Sequence, residues 1–239
     1  FYQAWEHFFL YGEPEEFVSK GDDQAGYFST DKAETAKGNN VQDLKEYFQY
    51  WPGTKLPSQL TQLTQSFFKK MISLGLITMR WLQENTDSSI WHRIDRPFPE
   101  YLSEEHTLLR VLRYPPIKGP LAPKALRAAA HEDINLITLL PAADEPGLEL
   151  KSKSSDEWFP LEAPAGSIVV NIGDMLQELT DGSLPSTSHR VVNPKQEHAQ
   201  NSRMTAPVFC HPHPELILSE RYSAEDYLSE RLKEINRRA

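Results

Sequence analysis

From Thr107 to about Pro212 the chain breaks into short runs rich in Val, Ile and Leu, divided by Pro, Gly, Asn and Asp, with no helical pattern between successive runs. No other feature constrains the fold as strongly. It predicts strands at Thr107 to Tyr114, Asn135 to Leu140, Leu148 to Lys151, Ser167 to Ile172, Ser188 to Val192 and Arg203 to Cys210. Strands this closely spaced, without crossover helices, pair antiparallel, so a sandwich or barrel is expected rather than a parallel sheet. The flanks follow another period. Before Leu102 the chain reads as mainly helical: Leu60, Leu63, Phe67, Met71 and Leu74 recur at three- and four-residue steps, the stripe of an amphipathic helix, and Gly75 is placed to end it. Gly12 to Asn40, rich in Gly, Asp, Lys and Ser, reads as an irregular surface segment. After the Pro212 and Pro214 turns, Ser223 as N-cap and Asp226 three residues on open a last helix to about Arg238.

At 239 residues one domain suffices, divided into a helical region (1–102), a strand-rich core (103–214) and a C-terminal helix (215–239). The chain opens on Phe1, inside what reads as a helix, so native sequence is expected before it. An apolar share of 39% with 25% charged residues supports a packed core and argues against disorder. Twenty-five basic against 34 acidic residues give a net charge of -9, which repels phosphate backbones and anionic lipid. The basic ending, Arg231, Lys233, Arg237 and Arg238, suits a helix C-terminus. Cys210 is the only cysteine, so no intrachain disulfide forms and a reducing compartment is expected. Apolar runs such as Gly166 to Ile172 are too short for a signal peptide or membrane span. The expectation is a cytoplasmic protein, monomeric by default, whose partner is a small-molecule substrate and neither nucleic acid nor membrane.

The sharpest local feature is His131-Glu132-Asp133, with His189 at the start of a later strand. In extended backbone residues i and i+2 point to the same side, so the pair offers an imidazole and a carboxylate from one edge, and a second strand supplies a third donor. Two His and one carboxylate on one face of an octahedral ion leave three positions open, the arrangement of non-heme Fe(II) oxygenases. Among eight histidines and many aspartates one such pair arises by chance, so a surface or core histidine stays an open alternative on these residues alone.

The surrounding sequence carries more. The stretch His131-Glu132-Asp133-Ile134-Asn135-Leu136-Ile137-Thr138-Leu139-Leu140 resembles the metal-binding segment of the isopenicillin N synthase-like family of 2-oxoglutarate and Fe(II)-dependent dioxygenases. Gly147-Leu148-Glu149-Leu150 and Trp158 stand where that family has its "GLQV" strand and following tryptophan. Pro164 to Leu176 is close to its most recognisable stretch. Ser188-His189-Arg190-Val191-Val192-Asn193-Pro194 and Arg203-Met204-Thr205-Ala206-Pro207-Val208-Phe209 follow in the family's order and spacing, from about Leu108 to Pro212.

The resemblance implies a mainly β fold with flanking α-helices: a double-stranded β-helix, or jelly-roll, core, with the N-terminal helices packed outside its major sheet; the last helix, read from its own pattern, is expected to cover an outer face. It implies His131, Asp133 and His189 as iron ligands and Arg203 as the partner of the far carboxylate of 2-oxoglutarate. Thr205, where most members have serine, keeps a hydroxyl for the same carboxylate, and Tyr114 looks toward the site. The cofactor implied is Fe(II), with 2-oxoglutarate and O2 as cosubstrates, and ascorbate as an allowed reductant. The implied reaction oxidises, most often hydroxylates, a substrate C-H bond with release of succinate and CO2.

Two other readings stay open. One is an oxidase of the isopenicillin N synthase or aminocyclopropane carboxylate oxidase type, which needs no 2-oxoglutarate. The other is a silent jelly-roll binding protein, against which the full set of donors argues. The barrel interior is expected to be lined by Leu136, Leu148, Val170 and Val191. Asn171, Gly173 and Asp174 read as a strand end and turn, and His211 and His213 as part of a proline turn rather than a second metal site. His7, His92, His106 and His198 lack ligand-spaced partners. The substrate is not legible, and Arg110, Arg113, Trp91 and Phe98 are candidates for touching it.

Overall fold

The computed structural model describes residues 1–18, 24–32, 43–119 and 125–236. Four helices, α1 (Tyr2–Tyr11), α2 (Thr61–Glu84), α3 (Asp174–Leu179) and α4 (Ala224–Asn236), surround eleven strands. The strands are β1 (Gly26–Phe28), β2 (Glu46–Tyr50), β3 (Leu108–Tyr114), β4 (Ala128–His131), β5 (Ile137–Pro141), β6 (Leu148–Lys151), β7 (Trp158–Pro160), β8 (Ile168–Ile172), β9 (His189–Val191), β10 (Arg203–Thr205) and β11 (Val208–Cys210). They form two antiparallel sheets. The larger runs β1-β2-β3-β11-β5-β8 with β10 also on β3, and the smaller runs β4-β9-β6-β7. Facing sheets of this order make the jelly roll that the strand punctuation and the resemblance imply.

The larger sheet is two-faced because side chains alternate along a strand. Phe48, Leu109, Val111, Leu139, Met204, Val208 and Cys210 point outward and are fully buried with Trp5 and Phe8 of α1 and Phe68 and Met79 of α2. This outer layer, rather than the barrel interior, is the main hydrophobic core. A smaller interior cluster consists of Tyr47, Leu112, Tyr114, Ala128 and Val191.

Several expectations need correction. The N-terminal region is not only helical: β1 and β2 extend the larger sheet, and all five residues of Glu46-Tyr-Phe-Gln-Tyr are buried. Glu46 survives there because it accepts from Arg113 Nη1 (2.6 Å) and Tyr27 Oη (2.6 Å). Helix α2 does not stop at Gly75 but continues to Glu84. A Cβ on Gly75 would lie 3.2 Å from Cys210 Sγ and 3.4 Å from Leu102 Cδ1, so the glycine marks the close approach of helix to sheet. The predicted Arg203 to Cys210 strand divides at Ala206-Pro207, because proline has no N–H for the ladder. Strands β4 and β7 were not foreseen. Val191 lies in the interior cluster as expected and Leu148 is buried, but Leu136 belongs to the outer core and Val170 is 43% exposed on the outer face of β8.

Of the irregular segment, the described part holds β1 and two short 3-10 turns, Pro14–Phe17 and Thr30–Lys32, and the remainder lies outside the described residues. Helix α4 starts as predicted, with Ser223 Oγ accepting the Asp226 N–H (3.1 Å). Arg237 and Arg238 lie outside the described residues. Among those residues no helix is long and apolar enough to cross a membrane.

Candidate metal centre

His131 closes β4 and His189 opens β9, and the two are register partners across an antiparallel pair. Their rings therefore sit side by side, with centroids 4.3 Å apart. Asp133 follows in the loop after β4. One donor atom from each of His131, Asp133 and His189 lies within 4.8 Å of the others, and this is the only such cluster among the described residues. Asp133 Oδ1 is 3.7 Å from His189 Nε2 and 4.0 Å from His131 Nε2.

The remaining polar atoms of the three are already engaged. His131 Nδ1 donates to the Ala129 carbonyl (2.7 Å) and His189 Nδ1 to the Thr187 carbonyl (3.1 Å). A carbonyl only accepts, so each Nδ1 carries a proton, and in the neutral ring each Nε2 turns a lone pair toward Asp133. Asp133 Oδ2 accepts from Thr138 Oγ1 (2.6 Å) and Asn171 Nδ2 (2.8 Å), which leaves Oδ1 facing the imidazoles. Burial opposes ionisation of this carboxyl, but the two imidazoles and the Thr138 and Asn171 donors outweigh it and hold it below the ordinary carboxylate range. Desolvation, and then the His189 charge, push His131 below its usual value, toward neutral imidazole. Two imidazole nitrogens and one carboxylate oxygen facing one point suit a divalent first-row metal.

The end of β8 and the turn after it do more than set local geometry. Asn171 stands opposite Thr138 in the β5–β8 register, so both reach the same carboxylate oxygen. Gly173 is required for another reason: a Cβ there would lie 2.2 Å from the Asn135 carbonyl oxygen. That approach lets the Asp174 N–H donate to the Asp133 carbonyl (2.8 Å) and clamps the loop. The Asp174 side chain accepts from Arg231 Nη2 (3.0 Å), which joins α3 to α4.

Arg203, Thr205 and Tyr114 come together on the interior face, where Arg203 pairs with Tyr114 and Thr205 with Leu112. All three are buried. The Arg203 guanidinium lies 5.4 Å from the Tyr114 ring centre, and its Nε donates to the Glu145 carbonyl (2.9 Å). The Thr205 hydroxyl lies beside the Tyr2 phenol, which donates to the Pro141 carbonyl (3.2 Å). A cavity of about 220 Å³ lined by Leu140, Asp144, Leu148, Val169 and Arg203 opens beside the arginine.

Of the residues suggested for substrate contact, Arg113 turns outward to Glu46, and Trp91 and Phe98 lie in the outer core. Arg110 is on the interior face, where its Nε donates to Gln49 (2.9 Å) and its guanidinium lies 5.5 Å from the ring centre of Phe209. Phe209 is the register partner of Thr138, which places both near the three donors. His211 and His213 join no ligand cluster.

The 2OG-Fe(II) oxygenase superfamily model matches residues 104–212. A solved structure from Shewanella oneidensis, assigned as an oxygenase, is 41% identical; the match covers 98% of this chain and 84% of that one with a TM-score of 0.86. A 2OG-Fe(II) oxygenase family protein from Caulobacter crescentus is 30% identical, with 93% and 79% covered and a TM-score of 0.73. Among curated proteins, 2-oxoglutarate-dependent dioxygenase 11 of Oryza sativa subsp. japonica is 28% identical over 172 residues, 71% of this chain and 44% of that protein. The chain thus spans under half the length of this curated relative.

Proposed function

The chain belongs to the 2OG-Fe(II) oxygenase superfamily, and on that footing we propose that it is a 2-oxoglutarate- and Fe(II)-dependent dioxygenase that hydroxylates a C-H bond of a small molecule. The observation that carries this is the convergence of His131 Nε2, Asp133 Oδ1 and His189 Nε2 on one point, with every competing polar atom of the three engaged elsewhere.

In this reading His131, Asp133 and His189 hold Fe(II), and Thr138 and Asn171 keep the carboxylate turned to it. Arg203, Thr205 and Tyr114 receive the far carboxylate of 2-oxoglutarate. A guanidinium suits that position because it stays charged when buried and donates two parallel hydrogen bonds to one carboxylate. When bound, the iron supplies O2 activation coupled to decarboxylation of the oxoacid to succinate and CO2, with ascorbate as an accessory reductant. Tyr47, Leu112, Leu148 and Val191 line the interior and exclude water from the reacting groups. Arg110 and Phe209 form the substrate-facing wall.

The 239 residues act as one oxygenase domain, monomeric and cytoplasmic, and do not act on nucleic acid or membranes. The net charge of -9 and the single, buried cysteine support those last assignments.

The test is anaerobic titration of the Fe(II)-loaded protein with 2-oxoglutarate, watching the visible charge-transfer band of the chelate. The band appears in the wild type, is lost in His131→Ala and needs far more 2-oxoglutarate in Arg203→Ala. A folded, iron-loaded wild type with no band would rule out the cosubstrate and leave the 2-oxoglutarate-independent oxidase.

A further inference from the structure

Arg127, one residue before β4, is 1% exposed and is used by none of the roles above. Its Nη2 donates to the Asn201 carbonyl (2.8 Å), two residues before Arg203, and its Nε has no partner. Its guanidinium carbon lies 5.9 Å from the Tyr114 ring centre, against 5.4 Å for Arg203, so two buried guanidinium groups share one aromatic ring. Each donates only to neutral carbonyls.

Asp144 and Glu145 offset part of the Arg127 charge from a distance, but neither accepts a hydrogen bond from it. Asp144 Oδ1 accepts the Met204 N–H (2.8 Å), and Glu145 accepts from Asn201 Nδ2 (2.8 Å) and lies 3.4 Å from His198. Burial, and then the Arg203 charge, hold Arg127 below the ordinary guanidinium value. Two adjacent cations in a desolvated place are unfavourable unless an anion joins them. Capping one carbonyl does not call for a group with five N–H donors and a permanent charge.

We propose that Arg127 is a second cationic residue of the far-carboxylate subsite, acting with Arg203 and Thr205, and that this pair makes the site select dicarboxylic over monocarboxylic 2-oxoacids. This rests on the 2-oxoglutarate reading above. It makes Arg127 a binding residue with no part in holding the metal.

The experiment is anaerobic calorimetric titration of the Fe(II)-loaded full chain with 2-oxoglutarate and with 2-oxobutyrate, which has the same chelating end but no far carboxylate. Wild type, Arg127→Met and Arg127→Lys are compared after folding is checked by circular dichroism. The expected result for Arg127→Met is 2-oxoglutarate affinity lowered about tenfold or more, the size of one charge-assisted hydrogen bond, with 2-oxobutyrate affinity unchanged. Arg127→Lys, which keeps the charge and a donor for Asn201, falls between. If Arg127→Met does not fold, the lysine variant decides by the same comparison.

Unchanged 2-oxoglutarate affinity, or equal loss for both oxoacids, overturns the role of Arg127 and leaves it structural. A wild type that binds iron but neither oxoacid overturns the cosubstrate reading itself, a result distinct from failure at Arg127 alone.

Discussion

Asp133 presents one oxygen to two imidazoles because Thr138 and Asn171 occupy the other. Removing one of these donors frees the carboxylate to turn, and loss of such a supporting contact commonly costs ten- to a hundredfold in metal affinity. Asn171→Ala is therefore expected to weaken Fe(II) or Mn(II) binding by about tenfold while the melting temperature of the metal-free protein hardly moves; competition with a chromophoric chelator measures it. Equal affinity would show that Thr138 alone orients Asp133. At this scale the sequence was informative where residue type is itself chemistry. An H-x-D pair, a distal His and an arginine followed by Thr205 advertise donors of definite kinds, and the structure gathers the first three and groups Arg203 with Thr205 and Tyr114. Asn171 and Arg127 stayed hidden because their roles depend on what lies across a strand. Nothing near Asn171 in sequence says that Thr138 is its register partner, and nothing near Arg127 points to Tyr114 or Asn201.

Helix α2 shows how a local signal is overruled by packing. A helix-interior glycine costs about 1 kcal/mol relative to alanine, which is why Gly75 reads as a stop. Here the glycine lets the helix lie against Cys210 and Leu102, and the burial of Phe68, Met71, Ile72 and Met79 along the same face outweighs that cost. Gly75→Val adds methyl groups at a point already 3.2 Å from Cys210 Sγ, so it should destabilise the protein by about 1–3 kcal/mol in urea unfolding. Stability equal to wild type would mean that the helix can lift off the sheet at no cost. Strand β2 escaped notice for the opposite reason. It is covered on both faces, so the alternation that marks a half-exposed strand is missing, and its buried Glu46 reads as surface until Arg113 and Tyr27 are seen around it. The strands from Thr107 onward were legible because turn residues bound each run.

The whole molecule keeps stability and chemistry on opposite faces of one sheet, joined at its edges by groups that sense pH. Desolvation pushes the His211 imidazole, whose Nδ1 donates to the Phe209 carbonyl (3.0 Å), down to about 4. Between that value and the ordinary one near 6.5 the unfolded chain binds a proton there that the folded chain refuses, so stability falls as pH drops through the window. The expected loss between pH 7.5 and pH 5 is about 2 kcal/mol from this residue, and His211→Gln should flatten that limb of the urea-unfolding profile. An unchanged acid limb in the variant would assign the sensitivity to other groups. The two-faced sheet has one more consequence. Along β3, Leu109 and Val111 are sealed into the outer core, whereas Arg110, Leu112 and Tyr114 face the interior. Anyone diversifying this protein for new substrates can sort positions by parity: a library confined to even-numbered sites of β3 searches catalytic space, and the same library shifted by one residue searches mostly for ways to unfold.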